Sequence, residues 1–179
     1  GPGLGSCDGG LVIELTPMNG IRVDPRARTV RVGPGCTWGD VDHATHAHGQ
    51  ATVSGVICTT GVGGLTLGGG HGYLTRQFGL TIDNLLEADV VLANGEHVTA
   101  SEAEHEDLFW ALRGGGGNFG VVTSFLFQTH PVDNVYAGPS LWRLEDARPV
   151  LEAYREFMPS APRDLYGFFG FMVVPPEPP

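Results

Sequence analysis

Alternation of apolar and polar residues predicts two short strands near the start of the chain. Residues 11–15 (LVIEL) form an apolar run suited to a buried strand, and residues 29–32 (TVRV) alternate like a strand with one solvated face. Residues 17–20 and the pair Asp24-Pro25 are typical of turns. The first part of the chain is therefore predicted to fold as two strands linked by turns.

Two helices are predicted from capping pairs. Thr37 can cap a first helical turn with its hydroxyl, and Asp40 stands three residues later, as the partner in a capping pair does. Ser101 and Glu104 have the same spacing. The helices predicted from these pairs span residues 37–47 and 101–113, with Leu108, Phe109 and Leu112 of the second facing inward.

The segments on either side of the second helix favour strands. Residues 88–93 and 96–100 are strand-like and flank Asn94-Gly95, a dipeptide typical of tight hairpins. Residues 121–129 are apolar and β-branched enough for a central strand. We therefore expect a hairpin, then a helix, then a strand in the middle of a sheet.

The last part of the chain predicts one helix and one strand. The helix covers residues 146–158, can accept Pro149 only in its first turn, and has one apolar side. Residues 165–174 follow as an apolar strand. Because a lone strand cannot bury both of its faces, we expect this one to be exposed when no partner covers it.

Residues 55–84 are unusually rich in glycine. Nine glycines occur there, and no lysine or acidic residue precedes Asp83. Glycine at this density weakens regular structure. One interpretation is that the bare backbone approaches a ligand whose charge is met by main-chain N–H groups. The other is a tightly wound loop in which the glycines only supply positive φ angles.

Composition narrows the class of function. The chain has 179 residues and a net charge of −10, which argues against nucleic-acid binding because that depends on neutralising phosphates with Lys and Arg. No apolar run approaches the roughly 20 residues of a membrane helix, and no targeting leader is visible. We expect no membrane partner and a cytoplasmic location.

Neither the cysteines nor the histidines predict a metal site. The three cysteines are odd in number and form no CxxC pair, so neither a disulfide framework nor a zinc site is indicated. His43 and His46 can share a helix face, but His48 cannot, and no thiol or carboxylate completes a ligand set. We interpret these histidines as solvated surface residues.

Three motifs resemble one enzyme family. They are CTTG at 58–61, GGGHGYL at 68–74 and FGLTIDNLL at 78–86. Together they resemble the FAD-binding domain of the berberine-bridge-enzyme-like flavin oxidases, a group that includes the 6-hydroxynicotine oxidase type within the vanillyl-alcohol-oxidase superfamily. The resemblance covers residues 4–132.

The resemblance implies an α+β fold in two parts. Residues 1–132 would be the C-terminal part of a PCMH-type FAD-binding domain, and residues 133–179 would be the beginning of an α+β substrate domain. The resemblance also implies that this chain is a piece of a longer protein. The rest of that protein would be needed to complete the fold.

The resemblance further implies a set of cofactor-binding residues. The CTTG loop and the glycines after it would meet the pyrophosphate and the edge of the flavin ring, and backbone donors suit a diphosphate in an acidic protein. The Asp-Asn pair would close the loop near the cofactor, or else only cap the following segment. The start of the strand at residue 120 would meet adenosine. The implied residues are Cys58, Thr59, Thr60, Gly61, Gly63, Gly64, His71, Gly72, Asp83, Asn84, Gly120, Val121 and Val122.

Two residues that look like flavin attachment points are not expected to be. In relatives with a cysteinyl link, the cysteine precedes a proline and lies four residues before the glycine that matches Gly61; Cys58 lies three before it and precedes Thr59. We expect Cys58 to be a small thiol packed near the cofactor. Any covalent histidyl link to FAD would come from upstream of Gly1, and His71 could instead be an acid, base or donor at the flavin pocket, or a neutral packed histidine.

Residues 115–120 (GGGNFG) satisfy the GxGxxG pattern of dinucleotide-binding folds. That fingerprint needs a strand before it and a helix after it. Here a helix is predicted before it and a strand after it, so we reject a Rossmann fold.

By resemblance, the parent protein is a FAD-dependent oxidoreductase. We expect an oxidase that moves a hydride from an activated C–H of a small organic substrate to flavin and then to O2. The alternatives are a flavin dehydrogenase with another electron acceptor and a non-catalytic scaffold. In many relatives the catalytic base lies late in the second domain, so no catalytic residue is assigned here, and this chain alone is expected to be inactive.

Overall fold

A five-stranded antiparallel sheet forms the centre of the protein, whose computed structural model describes residues 5–132 and 134–173. The strands are β1 (Ile21–Asp24), β2 (Thr29–Val32), β3 (Gln50–Ala51), β4 (Leu85–Val91), β5 (His97–Ser101), β6 (Val121–Gln128) and β7 (His130–Pro131). The order in the sheet is β1-β2-β6-β4-β5, and β3 pairs with β7 in a separate two-stranded ladder. Every neighbouring pair is antiparallel.

Helices cover one side of this sheet and continue into the last part of the chain. They are α1 (Trp38–His46), α2 (Val62–Leu67), α3 (Thr75–Phe78), α4 (Glu106–Leu112) and α5 (Ala147–Phe157), with 3₁₀ turns at Thr81–Asn84 and Leu144–Asp146. Side chains from α1, α2 and α4 join the sheet in one hydrophobic core. The resulting mixture of helices and antiparallel strands matches the predicted α+β class.

The inner face of the sheet is apolar and fully buried. Val30 and Val32 of β2 and Phe125 and Phe127 of β6 have no exposed surface, because alternate residues of a strand point to the same face. Trp38 of α1 packs on Phe127 with ring centroids 5.5 Å apart. Burial of each such side chain stabilises the fold by about 1.5–3 kcal/mol.

The outer face of the sheet carries a polar network around Arg31. Its guanidinium donates to Glu87, to Asp89 at 3.1 Å and to Ser124 at 2.9 Å. Thr99 donates to the second carboxylate oxygen of Asp89 at 2.8 Å. These side chains are half-buried, and such pairs contribute about 0.2–1 kcal/mol each.

Several predicted elements are confirmed. Helix α1 begins behind a capping box in which Thr37 and Asp40 bond to each other's backbone. Strands β4 and β5 pair across the turn that contains Asn94 and Gly95. Strand β6 has a neighbour on each side, as expected of a central strand. Helix α5 lies within the predicted range and holds Pro149 in its first turn.

The predicted strand at residues 11–15 is wrong. This segment joins no sheet, and Leu11 is 87% exposed. The strand that pairs with β2 is β1, which comes after the turn at residues 17–20. An apolar run does not supply a neighbour, and pairing with a neighbouring strand is what stabilises a strand.

The second capping pair does not start a helix. Strand β5 extends to Ser101, whose hydroxyl accepts hydrogen bonds from the N–H groups of Ala103 and Glu104 at 3.2 Å in a tight turn. Helix α4 begins at Glu106, after His105 in a left-handed conformation (φ 49°). Serine hydroxyls stabilise turns as well as helix caps, so the spacing alone did not decide between them. The predicted inward positions are confirmed, since Phe109 and Leu112 are buried and Leu108 packs against them.

The predicted strand at residues 165–174 is also wrong. Residues 165–173 form neither strand nor helix, and Val174 lies outside the described residues. The expectation that this segment is exposed is confirmed by side chains such as Phe171, which is 73% exposed. No strand among the described residues lies beside it to provide ladder hydrogen bonds.

The glycine-rich stretch contains more regular structure than its composition indicates. Helices α2 and α3 and a 3₁₀ turn all lie within residues 55–84. Val62 is fully buried in the core and Leu65 packs against it. Packing of an apolar side therefore outweighs the poor helix propensity of the glycines.

Replacing Phe127 with alanine should lower the free energy of unfolding by about 3–5 kcal/mol, because a fully buried ring leaves a cavity beside Trp38. Urea denaturation followed by circular dichroism measures the change. Phe171→Ala is the matched control on an exposed ring and should change it by less than about 0.5 kcal/mol. Equal losses in the two variants would contradict the position of Phe127 in the core.

Candidate functional site

The loop before α2 is fixed against the start of α1 by its carbonyl groups. The N–H groups of Trp38 and Gly39 donate to the carbonyls of Thr60 at 3.0 Å and Cys58 at 2.8 Å. These N–H groups belong to the first turn of α1, where the helix itself offers no acceptor. The loop is therefore held against α1 through its carbonyl oxygens.

Three N–H groups of the same loop remain available, whereas that of Thr60 donates to the carbonyl of Ile57 at 3.1 Å. Among the described residues, none accepts a hydrogen bond from the backbone N–H of Cys58, Thr59 or Gly61. A Cβ atom added to Gly61 or Gly64 would meet no heavy atom within 4 Å, so the space beside this backbone is open. Unpaired donors on a bare backbone are suited to an anionic group such as a phosphate.

The far end of α2 contacts the glycine run that precedes β6. The N–H of Gly116 donates to the carbonyl of Leu67 at 2.9 Å. Gly120 follows four residues later, and Val121 and Val122 pair with β4. Helix α2 has six residues and a helix rises about 1.5 Å per residue, so α2 is only about 9 Å long. The candidate residues at 58–61 lie at its start, and those at 120–122 follow the glycine run at its end.

Gly120 and Val122 can offer a ligand only their backbone. A Cβ on Gly120 would lie 2.7 Å from the carbonyl oxygen of Val91. The side chain of Val122 is in the hydrophobic core. Close packing on β4 is therefore sufficient to explain the glycine at this turn, and it does not conflict with a main-chain contact to a ligand.

The GGGHG segment is a compact turn packed on its neighbours. Gly70 has a φ of 75°, and an added Cβ would lie 2.2 Å from the hydroxyl oxygen of Thr81. A Cβ on Gly72 would lie 1.8 Å from the carbonyl oxygen of Ser54. For these two glycines, close backbone packing explains the absence of a side chain. Gly70 thus has the positive φ of the tight-loop interpretation, whereas Gly72 serves close packing.

Asp83 caps the 3₁₀ turn in which it lies. Its carboxylate accepts a hydrogen bond from the N–H of Leu80 at 2.8 Å, and Arg113 donates to the other oxygen at 3.3 Å. This is the capping role considered for the Asp-Asn pair. The carboxylate is also exposed, so it stays accessible to a ligand.

Asn84 is buried, and its side chain is used within the protein. Its amide donates to the carbonyls of Phe78 at 3.0 Å and Leu80 at 2.8 Å, and its oxygen lies 2.6 Å from Nε2 of His130. The ring of His130 stacks on Phe78 at 3.9 Å. Burial, with Arg28 nearby, lowers the pKa of His130 below its ordinary 6.5. Asn84 thus joins the glycine-rich stretch to β7.

Cys58 and His71 both lie on the surface. Cys58 is exposed, and its carbonyl accepts a hydrogen bond from the N–H of Gly39. A thiol packed near the cofactor stays a prediction. His71 is exposed too, and its ring lies 5.7 Å from that of Tyr166. His71 is therefore not packed in the interior of the described structure.

The histidines at 43, 46 and 48 are exposed. In the part of the chain that the structure describes, no group of three His, Cys, Asp or Glu side chains has a geometry that could hold a metal ion. Within the same residues, no helix is both long enough and apolar enough to cross a lipid bilayer.

The sequence motifs did not identify Arg76 as a residue that joins two parts of the structure. Its guanidinium donates to the carbonyls of Met158 at 2.8 Å and Ala161 at 2.6 Å, and so joins the glycine-rich stretch to the end of α5. One signal was present: Arg76 is the single lysine or arginine in residues 55–84. A lone cation in a glycine-rich apolar segment needs acceptors from elsewhere in the fold.

Comparison with protein families finds a match over residues 1–101 to the model of the FAD binding domain. The FAD-linked oxidoreductase pgmH of Aspergillus terreus is 50% identical over 135 residues, which are 75% of this chain and 26% of that protein.

Two solved flavoprotein structures are similar to this one. The crystal structure of 6-hydroxy-D-nicotine oxidase from Arthrobacter nicotinovorans matches with a TM-score of 0.71 and 41% identity, over 72% of this chain and 28% of that one. Phl p 4.0202, described as a glucose dehydrogenase, matches with a TM-score of 0.76 and 32% identity, over 86% of this chain and 32% of that one. The chain thus spans about a quarter to a third of the length of the relatives it matches. These matches confirm the predicted family, its fold and FAD as its cofactor.

The pKa of His130 predicts how stability depends on pH. Folding lowers this pKa below 6.5, so the unfolded chain binds a proton more readily than the folded one. The stabilisation is therefore complete above pH 6.5 and is lost as the pH falls through the folded pKa. Chemical denaturation from pH 7.5 to pH 5 should give a steeper loss of stability in the natural chain than in His130→Gln. The control His48→Gln, at an exposed position, should lose stability with falling pH as steeply as the natural chain does. If His130→Gln also loses it as steeply, His130 is not the group responsible for the pH dependence.

Proposed function

This chain belongs to the FAD-binding domain family, and on that premise we propose that it forms part of a FAD-dependent oxidoreductase. The observation that carries the proposal is the loop of unpaired backbone N–H groups at Cys58, Thr59 and Gly61, next to open space. These residues are exposed, so their N–H groups are accessible to an anionic ligand as well as to water.

The loop at residues 58–61 and the first residues of α2 would hold the pyrophosphate of FAD. Main-chain N–H groups are the donors, and Gly61, Gly63 and Gly64 leave room for a close approach. At Gly63 the nearest atom to an added Cβ is the carbonyl oxygen of Pro34, at 3.7 Å. In a protein with a net charge of −10, oriented peptide dipoles rather than a cationic patch would attract the diphosphate.

The remaining candidate residues would have more limited roles. Gly120, Val121 and Val122 would contact the adenosine part through their backbone. Asp83 and Asn84 would act by holding the 3₁₀ turn in place, which is supported by their hydrogen bonds to Leu80 and Phe78. Gly72 would shape the GGGHG turn, and the exposed ring of His71 would border the ligand side of that turn.

We place the end of the FAD-binding part at residue 132 and the start of the substrate part at residue 133. Strand β7 ends at Pro131, and the described residues 134–143 contain no helix or strand, which supports a connection there. Asp133 itself lies outside the described residues. The rest of the parent protein would complete both parts.

Bound FAD would supply the redox chemistry, accepting a hydride from an activated C–H of a small organic substrate, with O2 as the final acceptor. The residues of this chain would bind and orient the cofactor. No residue of the chain is assigned as the catalytic base. Oxidase activity is supported by the similarity to 6-hydroxy-D-nicotine oxidase at 41% identity.

A flavin dehydrogenase with another electron acceptor is the second candidate. It is favoured by the similarity to Phl p 4.0202, a glucose dehydrogenase, which covers 86% of this chain with a TM-score of 0.76. The two candidates differ in the fate of the electrons and share the same use of the residues described above.

Gly61→Val should abolish flavin retention and leave the fold intact. Gly61 has ordinary angles (φ −68°, ψ 142°) and open space for a side chain, so valine would block only a ligand that approaches the backbone. Titration with FAD, followed by flavin fluorescence, measures the change. Gly138→Val is the matched control, since Gly138 also has open space, and it should bind FAD like the natural chain. Undiminished binding by Gly61→Val would refute the placement of the pyrophosphate.

The longest natural form of the protein should be yellow and should release hydrogen peroxide with its substrate under air. Reduction of a dye without peroxide would instead establish the dehydrogenase. Acid precipitation distinguishes the two modes of flavin attachment, because covalent flavin stays with the pellet and free flavin passes to the supernatant. Absence of flavin bands even after addition of FAD would contradict the proposal and favour the scaffold.

A further inference from the structure

Four of the ten cationic side chains of the protein lie in one hairpin. They belong to strands β1 and β2 and the turn between them, and they are Arg22, Arg26, Arg28 and Arg31. No other lysine or arginine occurs before Arg76, although the whole chain has a net charge of −10. A local cationic surface on an acidic molecule attracts carboxylates. We propose that this basic hairpin, defined as residues 21–32, docks an extended acidic segment of a partner polypeptide.

Three of the four guanidinium groups are available to such a partner. Arg22, Arg26 and Arg28 are exposed. None of these three side chains forms a hydrogen bond or an ion pair with another described residue. Arg31 differs, because it is half-buried and paired with two carboxylates of β4. The sheet therefore neutralises one arginine of the hairpin and leaves the other three to meet charges from outside.

A like-charge pair spans the two strands of the hairpin. Arg22 stands directly opposite Arg31 in the β1–β2 ladder, and like charges at opposite positions destabilise an antiparallel pair. The carboxylates of β4 compensate Arg31, but no described carboxylate forms an ion pair with Arg22. A carboxylate supplied by a partner would provide the charge that this pair lacks.

The turn of the hairpin is fixed through its backbone. The carboxylate of Asp24 accepts hydrogen bonds from the N–H groups of Arg26 at 3.0 Å and Ala27 at 2.9 Å. The carbonyl of Arg28, a residue with a φ of 54°, accepts a hydrogen bond from the N–H of Thr129 at 2.8 Å. A backbone that is ordered before binding lowers the entropic cost of association.

Strand β1 also offers a polypeptide a free edge. Among the described strands it stands at the end of the sheet and pairs only with β2. Bonds between antiparallel strands alternate, and the N–H of Gly33 donates to the carbonyl of Gly20. The main-chain polar groups of Ile21 and Val23 therefore point away from β2. An added strand can bond to them, and neither a nucleic acid nor a lipid headgroup has the alternating main-chain groups to do so.

A groove beside β1 lies on the same face as the free arginine of the ladder. Its volume is about 380 Å³. Its lining includes Met18, Ile21, Arg22, Arg31, Thr123 and Ser124. Alternate side chains of an added strand project to one face of the sheet. An acidic side chain that projects to this face would thus meet a guanidinium group.

Titration of this chain with fluorescein-labelled peptides, followed by fluorescence anisotropy, tests the docking surface. The probe is a short glutamate–valine repeat, in which valine favours the extended strand. We expect it to bind the natural chain, and a lysine–valine repeat of the same length to bind at least about tenfold more weakly. A glutamate–valine repeat with N-methylated peptide bonds keeps the charge but loses the main-chain donors, so it should also bind about tenfold more weakly.

Removal of single arginines should weaken binding of the glutamate–valine peptide in steps. Arg22→Gln and Arg26→Gln should each raise the Kd about two- to fivefold, as expected for the loss of one exposed ion pair. Arg143→Gln is the matched control, because it removes the same charge at an exposed position outside the hairpin, and it should leave the Kd unchanged. In the natural chain, the amide NMR signals of Ile21 and Val23 should shift when the peptide is added.

The docking surface would be overturned if the natural chain did not bind the glutamate–valine peptide, or if either control peptide bound as tightly. An unchanged Kd in both arginine variants, or no shift of the two amide signals, would overturn it as well. Self-association of the natural chain that is lost in Arg22→Gln would instead assign the hairpin to a second copy of this chain. Competition by duplex DNA at the Kd of the peptide would refute the choice of a polypeptide.

The hairpin contains none of the residues assigned to FAD, so the two proposals are tested separately. A FAD titration of the same samples should give the same affinity for Arg22→Gln as for the natural chain. Flavin binding without peptide binding would refute only the docking surface. Peptide binding by a chain that never binds flavin would refute only the oxidoreductase.

Discussion

The contact on which the structure depends is the packing of Trp38 on Phe127. The indole ring closes the inner face of the sheet, with ring centroids 5.5 Å apart. The backbone N–H of the same tryptophan donates to the carbonyl of Thr60. One residue thus ties the hydrophobic core to the loop that carries the candidate N–H groups. Because the ring is fixed by burial, the start of α1 is fixed, and the loop is held against it.

This arrangement would let an acidic protein hold the anion that we propose for the loop. The carbonyls of Cys58 and Thr60 accept hydrogen bonds from the first turn of α1, and the N–H groups of Cys58, Thr59 and Gly61 have no acceptor among the described residues. Donors without acceptors suit an anionic group even where no cationic side chain is present. The glycines serve two different needs here. At Gly61 the absence of a side chain leaves space, whereas at Gly70 and Gly72 it allows close packing on Thr81 and Ser54.

The last part of the chain is joined to this core by polar contacts and rings rather than by a shared hydrophobic core. Arg76 and Arg163 link residues 158–163 to the glycine-rich stretch. Helix α5 has no buried residue, in contrast to α1, α2 and α4. The position of the end of this segment is therefore set by a few hydrogen bonds, and the ring of Tyr166 is half-buried.

The sequence by itself determined the elements whose signals are local. The capping box at Thr37 and Asp40, the hairpin at Asn94-Gly95, the alternation of β2 and the apolar, β-branched composition of β6 are all signals contained within a few residues. The motifs at 58–61, 68–74 and 78–86 were also sufficient to predict the family and its cofactor. Only the tertiary structure decided the features that need a distant partner. Residues 11–15 and 165–173 have strand-like composition but, among the described residues, no neighbouring strand. The contact of Asn84 with His130 in β7 is likewise absent from the local sequence signal. The contact of Arg76 with the end of α5 joins residues more than 80 positions apart. Spacing in the sequence does not predict which residues are in contact at such a separation, because only the tertiary fold brings them together.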